Sequence, residues 1–365
     1  MSDVQTSSAA ADAVDRVRLA NTPLDCSRLG YGTAALMGRL GRRRSVELLR
    51  CAYDSGVTHF DTARSYGYGE AEVAVGDLAQ AVGRDRITIA TKFGILPPRR
   101  SPALTAAKAV ARVLTAALPG LRRAIGRRAY GMVQGGAFDL ATATASVEAS
   151  LRALRTDHID LLLMHECAPE DRTEEMLTFL DRLLREGKIR SHGVATQPGA
   201  SRAILLSPNA PAPVVQVPDS PLSPTLPGLL AGLTAPPGCV THSALGARFA
   251  ELRARLAADP ALARRWSDRL GFDVVGNPDR LGGLCLAAAL AANPQGVVLF
   301  SSTRETHIRA NAKIGTARAT AAARPAVGAL RALLAEAAPA AAPIAATLAG
   351  ATSWTLLAMA GIAGA

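Results

Sequence analysis

The sequence predicts an α/β protein, a closed (β/α)8 barrel with an N-terminal β-hairpin cap and helical insertions on its C-terminal face. Eight short apolar segments with the composition of strands alternate with segments whose apolar residues recur at helical spacing. This alternation indicates parallel strands, because parallel neighbours need a long crossover connection. No Gly-x-Gly-x-x-Gly motif follows the first strand, which disfavours an open dinucleotide-binding sheet. The two observations together favour the closed (β/α)8 TIM barrel.

The elements can be assigned in chain order. Val46, Leu48, Leu49 and Ala52, for example, give the first helix its apolar stripe. The predicted strands are 30–34, 57–61, 87–92, 159–165, 189–196, 214–217, 239–243 and 296–302, and the helices between the first five are 45–53, 71–78, 146–154 and 174–184.

Two long segments interrupt this order, and two tails flank it. We expect residues 16–335 to form the barrel domain, with insertions at about 97–138 and 247–277. Loops longer than ~12–15 residues in compact domains are usually functional or disordered. Both insertions follow the C-terminal end of a strand, so we expect them to shape a substrate pocket. Residues 1–15 are predicted to be a flexible tail and residues 336–365 an Ala-rich, uncharged one.

The chain is strongly basic, with 41 Lys and Arg against 30 Asp and Glu and a net charge of +11. A large positive charge is typical of proteins that bind nucleic acids. However, eight of the basic residues lie in the 97–138 insertion, and no segment interleaves basic with aromatic residues as a single-strand binder does. We therefore expect no nucleic-acid partner and interpret the insertion as a solvated basic segment. An alternative is that it attracts the anionic phosphates of a cofactor.

The cysteines and termini predict a cytoplasmic location. The five cysteines are odd in number and form no Cys-x-x-Cys pair, which fits a reducing compartment and gives no evident metal cluster. The N-terminus lacks the basic start and apolar run of a signal peptide. The segment 343–365 is long enough to span a bilayer, but it is dominated by Ala, Gly and Thr and has no basic flank. We therefore expect no membrane partner and no metal.

Polar side chains close several of the apolar strands. In a (β/α)8 barrel, reactive groups cluster at the C-terminal ends of the strands. A charged group is costly to bury unless it is paired, so ionisable residues at these ends must find partners. The strand-end residues are Asp61, Lys92, His165, Thr196, Gln216, His242 and Ser302.

Three of these groups, Asp61, Lys92 and His165, form a chemically sensible set with a tyrosine in the loop after Asp61. Tyr66 follows Asp61 by five residues, and Tyr68 is a competing phenol. A free phenol has a pKa of about 10, and a nearby ammonium lowers it. Lys92 can supply that ammonium and Asp61 can hold it. His165 can donate a hydrogen bond to a carbonyl oxygen and polarise it.

The chain resembles the aldo-keto reductase superfamily over roughly residues 28–312, apart from the two insertions. The matching motifs are GYGT at 30–33, HFDTARSYG at 59–67, ATK at 90–92, SL at 150–151, IDLLLMH at 159–165, GKIR at 187–190, VQ at 215–216, SALG at 243–246 and SS at 301–302 with Asn311.

The resemblance implies an NAD(P)H-dependent oxidoreductase that reduces an aldehyde or ketone, or oxidises an alcohol or sugar lactol, by direct hydride transfer. It places the family's catalytic tetrad on Asp61, Tyr66, Lys92 and His165, with Tyr66 as general acid in reduction and general base in oxidation. All four positions carry the family's residue types. An alternative is a non-catalytic, cofactor-binding barrel that acts as a sensor or subunit, and a homo-oligomer is compatible with either.

The resemblance also implies a cofactor groove along the strand ends. Gln216 would hold the nicotinamide carboxamide. Thr196 replaces the usual Asn, and His242 stands where a Tyr usually stacks on the nicotinamide ring. The implied cofactor-binding residues are Gly32, Thr33, Asp61, Thr196, Gln216, His242, Ser243, Leu245, Ser301, Ser302, Arg304, His307 and Asn311.

The adenosine end of this groove favours NADP(H), although NAD(H) is an alternative. Family members that prefer NADP often carry Lys or Arg where this chain has Ser301 and His307. Arg304 and Arg309 lie close by and could meet a 2′-phosphate. The physiological substrate cannot be read from these positions, beyond a small carbonyl compound or alcohol.

Overall fold

The computed structural model describes residues 13–36, 40–97, 136–207 and 211–337. The strands in this part of the chain are β1 (Arg16–Arg18), β2 (Asp25–Ser27), β3 (Leu29–Gly32), β4 (His59–Asp61), β5 (Thr88–Phe93), β6 (Ile159–His165), β7 (Ile189–Ala195), β8 (Val214–Pro218), β9 (Gly238–His242) and β10 (Val297–Phe300).

The longer helices surround these strands. In the described ranges, three short 3-10 helices lie in the connections, namely Tyr66–Gly69, Arg84–Arg86 and Pro169–Asp171. The described α-helices are α1 (Arg42–Asp54), α2 (Glu70–Val82), α3 (Leu140–Leu154), α4 (Glu174–Arg185), α5 (Pro198–Leu205), α6 (Leu226–Leu230), α7 (Gly246–Ala258), α8 (Pro260–Leu270), α9 (Pro278–Ala292), α10 (Glu305–Ile314) and α11 (Ala317–Ala337).

Strands β3 to β10 close into a parallel barrel in sequence order, with β10 pairing to β3. All eight barrel strands overlap the predicted ones, with ends that differ by up to two residues, and the predicted fold class is confirmed. β1 and β2 pair antiparallel, with Val17 opposite Cys26, and form the predicted N-terminal hairpin. Leu19, Leu24 and Cys26 of this hairpin share a buried cluster with strand residues of the barrel interior. The hairpin therefore closes one end of the barrel.

The alternation of strand side chains decides which residues face the interior. Along β6, Leu161 and Leu163 belong to the interior cluster, whereas Leu162 and Met164 pack in the larger cluster between barrel and helices. The same alternation continues the interior row to His165 at the end of the strand. A strand pattern that is apolar on both faces thus delivers one polar group to the barrel mouth.

The excursion predicted at 247–277 is helical and follows β9. Its helices α7 and α8 pack with α9 and α11 around a second hydrophobic cluster, in which Trp266 is 1% exposed. This cluster is separate from the barrel interior. The excursion therefore has a hydrophobic core of its own.

Several predicted segments lie outside the described residues. The insertion at 97–138 is described only at 97 and 136–138, the N-terminal tail only from residue 13, and the C-terminal tail only to Ala337. Helix α11 continues across the domain boundary predicted at residue 335. Within the described ranges, no helix combines the length and apolar character needed to cross a bilayer.

Helices α2 and α3 pack closely enough to require a glycine. A Cβ added to Gly76 would lie 2.8 Å from the carbonyl oxygens of Ala153 and Leu154, which are backbone atoms that cannot simply rotate away. In contrast, a Cβ added to Gly328 on α11 would meet no atom within 4 Å.

We predict opposite effects on stability for the two Gly-to-Ala changes. Gly76→Ala should lower the free energy of unfolding by about 1–3 kcal/mol, because the helices must separate. Gly328→Ala should raise it by about 0.5–1 kcal/mol, since alanine favours the helix. Urea unfolding of both variants checks this, and a Gly76→Ala protein as stable as wild type would contradict the packing described.

Candidate active site

A buried ion pair occupies the C-terminal mouth of the barrel. Asp61 ends β4, and Lys92 lies one residue before the end of the neighbouring strand β5. The Lys92 Nζ donates to Asp61 Oδ1 at 2.7 Å and to the Thr62 carbonyl at 2.9 Å. Both side chains are almost fully buried, at 2% and 4% exposed. The ammonium is therefore fixed by two acceptors from one neighbouring segment.

Tyr66 approaches this pair from the loop after β4. The loop turns sharply, with the Tyr66 N–H donating to the Ala63 carbonyl at 3.1 Å, and the short 3-10 helix begins at Tyr66. Lys92 Nζ lies 5.0 Å from the centre of the Tyr66 ring, so the ammonium acts on the phenol at close range. The side chain of Tyr68, the competing phenol, is outside what the structure describes.

His165 completes the group from β6. Its ring meets the Tyr66 ring edge-on, with centroids 6.2 Å apart and planes at 87°. The structure thus brings together Asp61, Tyr66, Lys92 and His165, which are distant in sequence, at the ends of three adjacent strands.

The protonation of these groups follows from burial and charge. Burial raises the pKa of Tyr66, and the Lys92 ammonium lowers it by less, so the pKa lies above the ordinary value. Burial alone would lower the pKa of Lys92, but Asp61 and Tyr66 outweigh it and raise the pKa. Lys92 thus acts on the pKa of Tyr66 in the expected, lowering direction, but desolvation is the larger effect.

Two histidines at the mouth are held neutral. Burial, helped by the charge of Lys92, lowers the pKa of His165 to about 3. Burial also lowers the pKa of His242 to about 4. Near neutral pH each ring therefore has one N–H donor and one acceptor nitrogen.

Gln216 lies beside the ion pair. Its Nε2 donates to Asp61 Oδ2 at 2.9 Å, so the second carboxylate oxygen is also occupied. Its Oε1 is buried and has no hydrogen-bond partner in the described structure. A buried acceptor without a donor is uncommon in proteins and marks a place for an N–H group. This arrangement is consistent with a carboxamide ligand.

Other residues of the expected groove are arranged differently. The Thr196 hydroxyl contacts Ser201 Oγ at 2.6 Å and is buried, so it is engaged within the protein. His242 Nδ1 contacts Ser243 Oγ at 2.8 Å, and Ser243 adopts a φ of 63°. Leu245 is 37% exposed at the N-terminus of α7. An exposed apolar residue next to these polar groups fits a ligand-facing edge.

The expected adenosine end lies where β10 leads into α10. Ser301 Oγ donates to the Gly32 carbonyl at 2.7 Å, which ties β10 to β3 next to the buried Thr33. The Ser302 hydroxyl accepts from the N–H of Arg304 at 3.2 Å, and Arg304 is the exposed N-cap residue of α10.

Further along α10 lie the remaining residues expected to contact the cofactor, and some of them already have partners within the protein. His307 lies 3.5 Å from Asp279 on α9, and Asn311 is half-buried one turn beyond it. Arg309 lies 3.5 Å from Glu305 on its own helix, and Glu305 also pairs with Arg44 of α1 at 2.7 Å. Arg304 forms no ion pair with an acid among the described residues and is exposed at the start of α10.

The sequence reasoning missed Glu72, a fully buried carboxylate near the mouth. Its spacing from Val75, Gly76 and Ala79 puts it on the buried face of α2, which is the signal that could have revealed it. Glu166 was also missed. It follows His165 with a φ of 55°, and its carboxylate contributes to the electrostatic environment of Tyr66. No group of three or more potential metal ligands is present among the residues the structure covers.

Curated proteins with similar sequences are reductases by name. The chain is 31% identical over 182 residues to "Aldo-keto reductase YhdN" of Bacillus subtilis, covering 48% of this chain and 45% of that protein. It is 32% identical over 180 residues to "6-dehydroglucose reductase" of Agrobacterium fabrum, covering 47% and 50%. "NADH-specific methylglyoxal reductase" of Escherichia coli is 28% identical over 190 residues, covering 49% and 51%. The chain thus spans about half the length of these relatives.

Solved structures agree in fold over most of the chain. A glycerol dehydrogenase from Gluconobacter oxydans superposes with a TM-score of 0.64 at 19% identity, covering 91% of this chain and 99% of that one. An aldo-keto reductase from Klebsiella pneumoniae in complex with NADPH gives a TM-score of 0.55 at 22% identity, covering 82% and 89%. The sequence also matches the family model described as "Aldo/keto reductase family" over residues 28–323. The chain therefore belongs to the aldo/keto reductase family.

Proposed function

We propose that the protein is an NAD(P)H-dependent oxidoreductase that reduces an aldehyde or ketone to an alcohol, or runs the reverse oxidation, with Tyr66 as general acid and base. One observation carries this proposal. Asp61, Tyr66, Lys92 and His165 meet at the barrel mouth, with Lys92 in contact with both Asp61 and Tyr66. An ion pair beside a phenol supplies a proton donor together with the charge that stabilises its anion.

Tyr66 is the proton source in reduction. Because burial raises its pKa, the phenol keeps its proton near neutral pH and is ready to donate. When the proton leaves, the phenolate forms next to the Lys92 ammonium, which Asp61 holds in place. The ammonium therefore stabilises the charge that develops on Tyr66 more than the neutral starting state, which is the condition for catalysis.

His165 positions the substrate oxygen. As a neutral ring with a pKa of about 3, it can donate one N–H to the carbonyl without carrying a charge of its own. Its ring packs edge-on against that of Tyr66, with the ring centres 6.2 Å apart. The two donors would converge on one carbonyl oxygen, Tyr66 giving the proton and His165 the orientation.

The nicotinamide cofactor would supply a hydride to the carbonyl carbon. Gln216 would hold its carboxamide through the unpaired Oε1, and His242 would lie against its ring. We take the remaining cofactor contacts to be the other expected residues from Gly32 to Asn311, which lie near the ends of barrel strands or on α10. The Thr196 hydroxyl is hydrogen-bonded to Ser201 Oγ, so it is not free to bind the cofactor. This set of contacts fits a nicotinamide ring.

NADP(H) is favoured over NAD(H). Arg304, exposed at the start of α10, is the cation available for a 2′-phosphate. One related structure contains NADPH and one relative is named as NADH-specific, so both cofactors occur among similar proteins. We further propose a cytoplasmic enzyme acting on small molecules, without nucleic-acid or membrane partners. The five free, buried cysteines fit a reducing compartment.

Replacing Tyr66 tests the reaction directly. Tyr66→Phe should lower kcat for carbonyl reduction by about 10²–10⁴-fold, because the proton donor is lost while the ring is kept. NADPH binding, measured by fluorescence titration, should change little. Turnover equal to wild type would refute the assignment of Tyr66. Cofactor binding without any turnover of a carbonyl and alcohol panel by wild type would favour the sensor alternative instead.

Replacing Arg304 tests the cofactor preference. Arg304→Ala should weaken NADPH about tenfold to hundredfold and leave NADH nearly unchanged, since a charge-assisted bond to phosphate is removed. Arg43→Ala is the matched control, because that arginine is 95% exposed on α1. Dissociation constants for both cofactors give the ratio. If the ratio stays at the wild-type value, Arg304 does not read the 2′-phosphate.

A further inference from the structure

Glu72 is a buried carboxylate that no role in the proposed reaction explains. It lies in the first turn of α2, just after the Tyr66–Gly69 turn, and is 0% exposed. Thr91 Oγ1 donates to its Oε1 at 2.7 Å. Arg64 Nη1 lies 3.5 Å from Oε2, which has no hydrogen-bond partner in the described structure, and Ser150 of α3 lowers the pKa of the carboxyl. Helix, strand and loop thus meet at one carboxylate.

Two of these partners are neighbours of the proposed catalytic groups. Arg64 precedes Tyr66 by two residues in the same loop. Thr91 directly precedes Lys92 on β5, and alternation along the strand turns Thr91 to the helix layer while Lys92 points into the mouth. The Glu72 carboxylate therefore joins the segment that carries the phenol to the strand that carries the ammonium.

Packing alone does not account for an acid at this position. The neighbouring buried positions of α2 are Ala71, Ala74, Val75 and Gly76, which are small and apolar. Burial raises the pKa of Glu72, so the carboxylate is costly here, while Ser150 and Arg64 offset part of that effect. An apolar residue of similar size would avoid this cost but would make none of the polar contacts. What the acid adds is the connection between the two segments.

We propose that Glu72 is a positioning residue of the active site, which fixes the Tyr66 loop against strand β5 through Arg64 and Thr91 and so sets the placement of Tyr66 relative to Lys92. This inference rests on the proposed function, because it concerns the geometry of that reaction. Glu72 itself does not touch the reacting atoms. Its effect is transmitted through the loop and the strand.

A second buried acid offers a matched control. Asp160 is 0% exposed on β6, where it accepts from Arg84 Nη2 at 2.6 Å and from the Ile89 N–H at 2.8 Å. It lies near the start of β6, at the end of the barrel away from His165. Asp160→Asn therefore perturbs a buried arginine–carboxylate pair of the same kind without touching the mouth.

The experiment compares Glu72→Gln, Asp160→Asn and wild type by steady-state kinetics with NADPH and a small dicarbonyl, and by thermal unfolding. Glu72→Gln keeps an acceptor for Thr91 but removes the charge that holds Arg64. We expect kcat to fall roughly tenfold or more while KM and NADPH affinity change by less than about twofold, the signature of misplaced groups. Asp160→Asn should lose stability while its kcat stays at the wild-type value.

Hydrogen exchange of backbone amides provides a readout that does not require turnover. Glu72→Gln should speed exchange in residues 62–69 and leave the start of β6 unchanged, and Asp160→Asn should do the reverse. Thr91→Val is the second variant should Glu72→Gln not fold. It removes only the strand side of the connection and should show the same loss of kcat at unchanged KM.

The outcomes separate the two proposals. Suppose that wild type turns over and that Glu72→Gln has either an equal kcat or unchanged amide exchange in residues 62–69. The positioning role is then overturned, and the proposed function stands. The positioning role is also overturned if Asp160→Asn, at an equal loss of stability, shows the same fall in kcat as Glu72→Gln. General destabilisation then explains the effect. Wild type without turnover on the whole panel overturns both.

Discussion

The structure of the site depends on the ion pair between Lys92 and Asp61. Both side chains are almost completely buried, and burying either charge without the other would be energetically costly. Removing one partner of such a pair typically costs about 3–5 kcal/mol, because the other charge is left buried and unpaired. The closed barrel makes the pairing possible, since β4 and β5 are neighbours in register and deliver both side chains to the same mouth. Tyr66, Gln216 and His165 are then arranged around the Lys92 ammonium, which Asp61 holds in place.

Burial and charge act in opposite directions on the groups around this pair. For Tyr66 burial is the stronger effect, so the phenol holds its proton more firmly than a free tyrosine. For His165 burial and the nearby ammonium act together, and the ring stays neutral with a pKa of about 3. The resting site therefore offers two neutral donors beside one fixed cation. This is a suitable state for an enzyme that must give a proton to a carbonyl oxygen and stabilise the phenolate left behind.

Much of the fold and of the candidate site could be predicted from the sequence, because each barrel strand is recognisable from a short local segment. Each strand is a short apolar segment whose last polar residue reaches the mouth, so the sequence alone identifies Asp61, Lys92 and His165 as mouth residues. What could not be read are contacts between side chains of different layers. The Glu72 contacts with Arg64 and Thr91, the Thr196 contact with Ser201 and the pairing of Arg309 with Glu305 depend on helix packing and rotamers. The direction of the Tyr66 pKa was also beyond the sequence, because it depends on how completely the ring is desolvated.

The central claim is that Lys92 and Tyr66 act as one unit. A double-mutant cycle of Tyr66→Phe, Lys92→Met and the combined variant, measured as the single-turnover rate of carbonyl reduction with bound NADPH, tests it most directly. If the ammonium acts through the phenol, the double variant should be no slower than the slower single variant. Losses that multiply in the double variant would show that the two residues act independently, which contradicts this account.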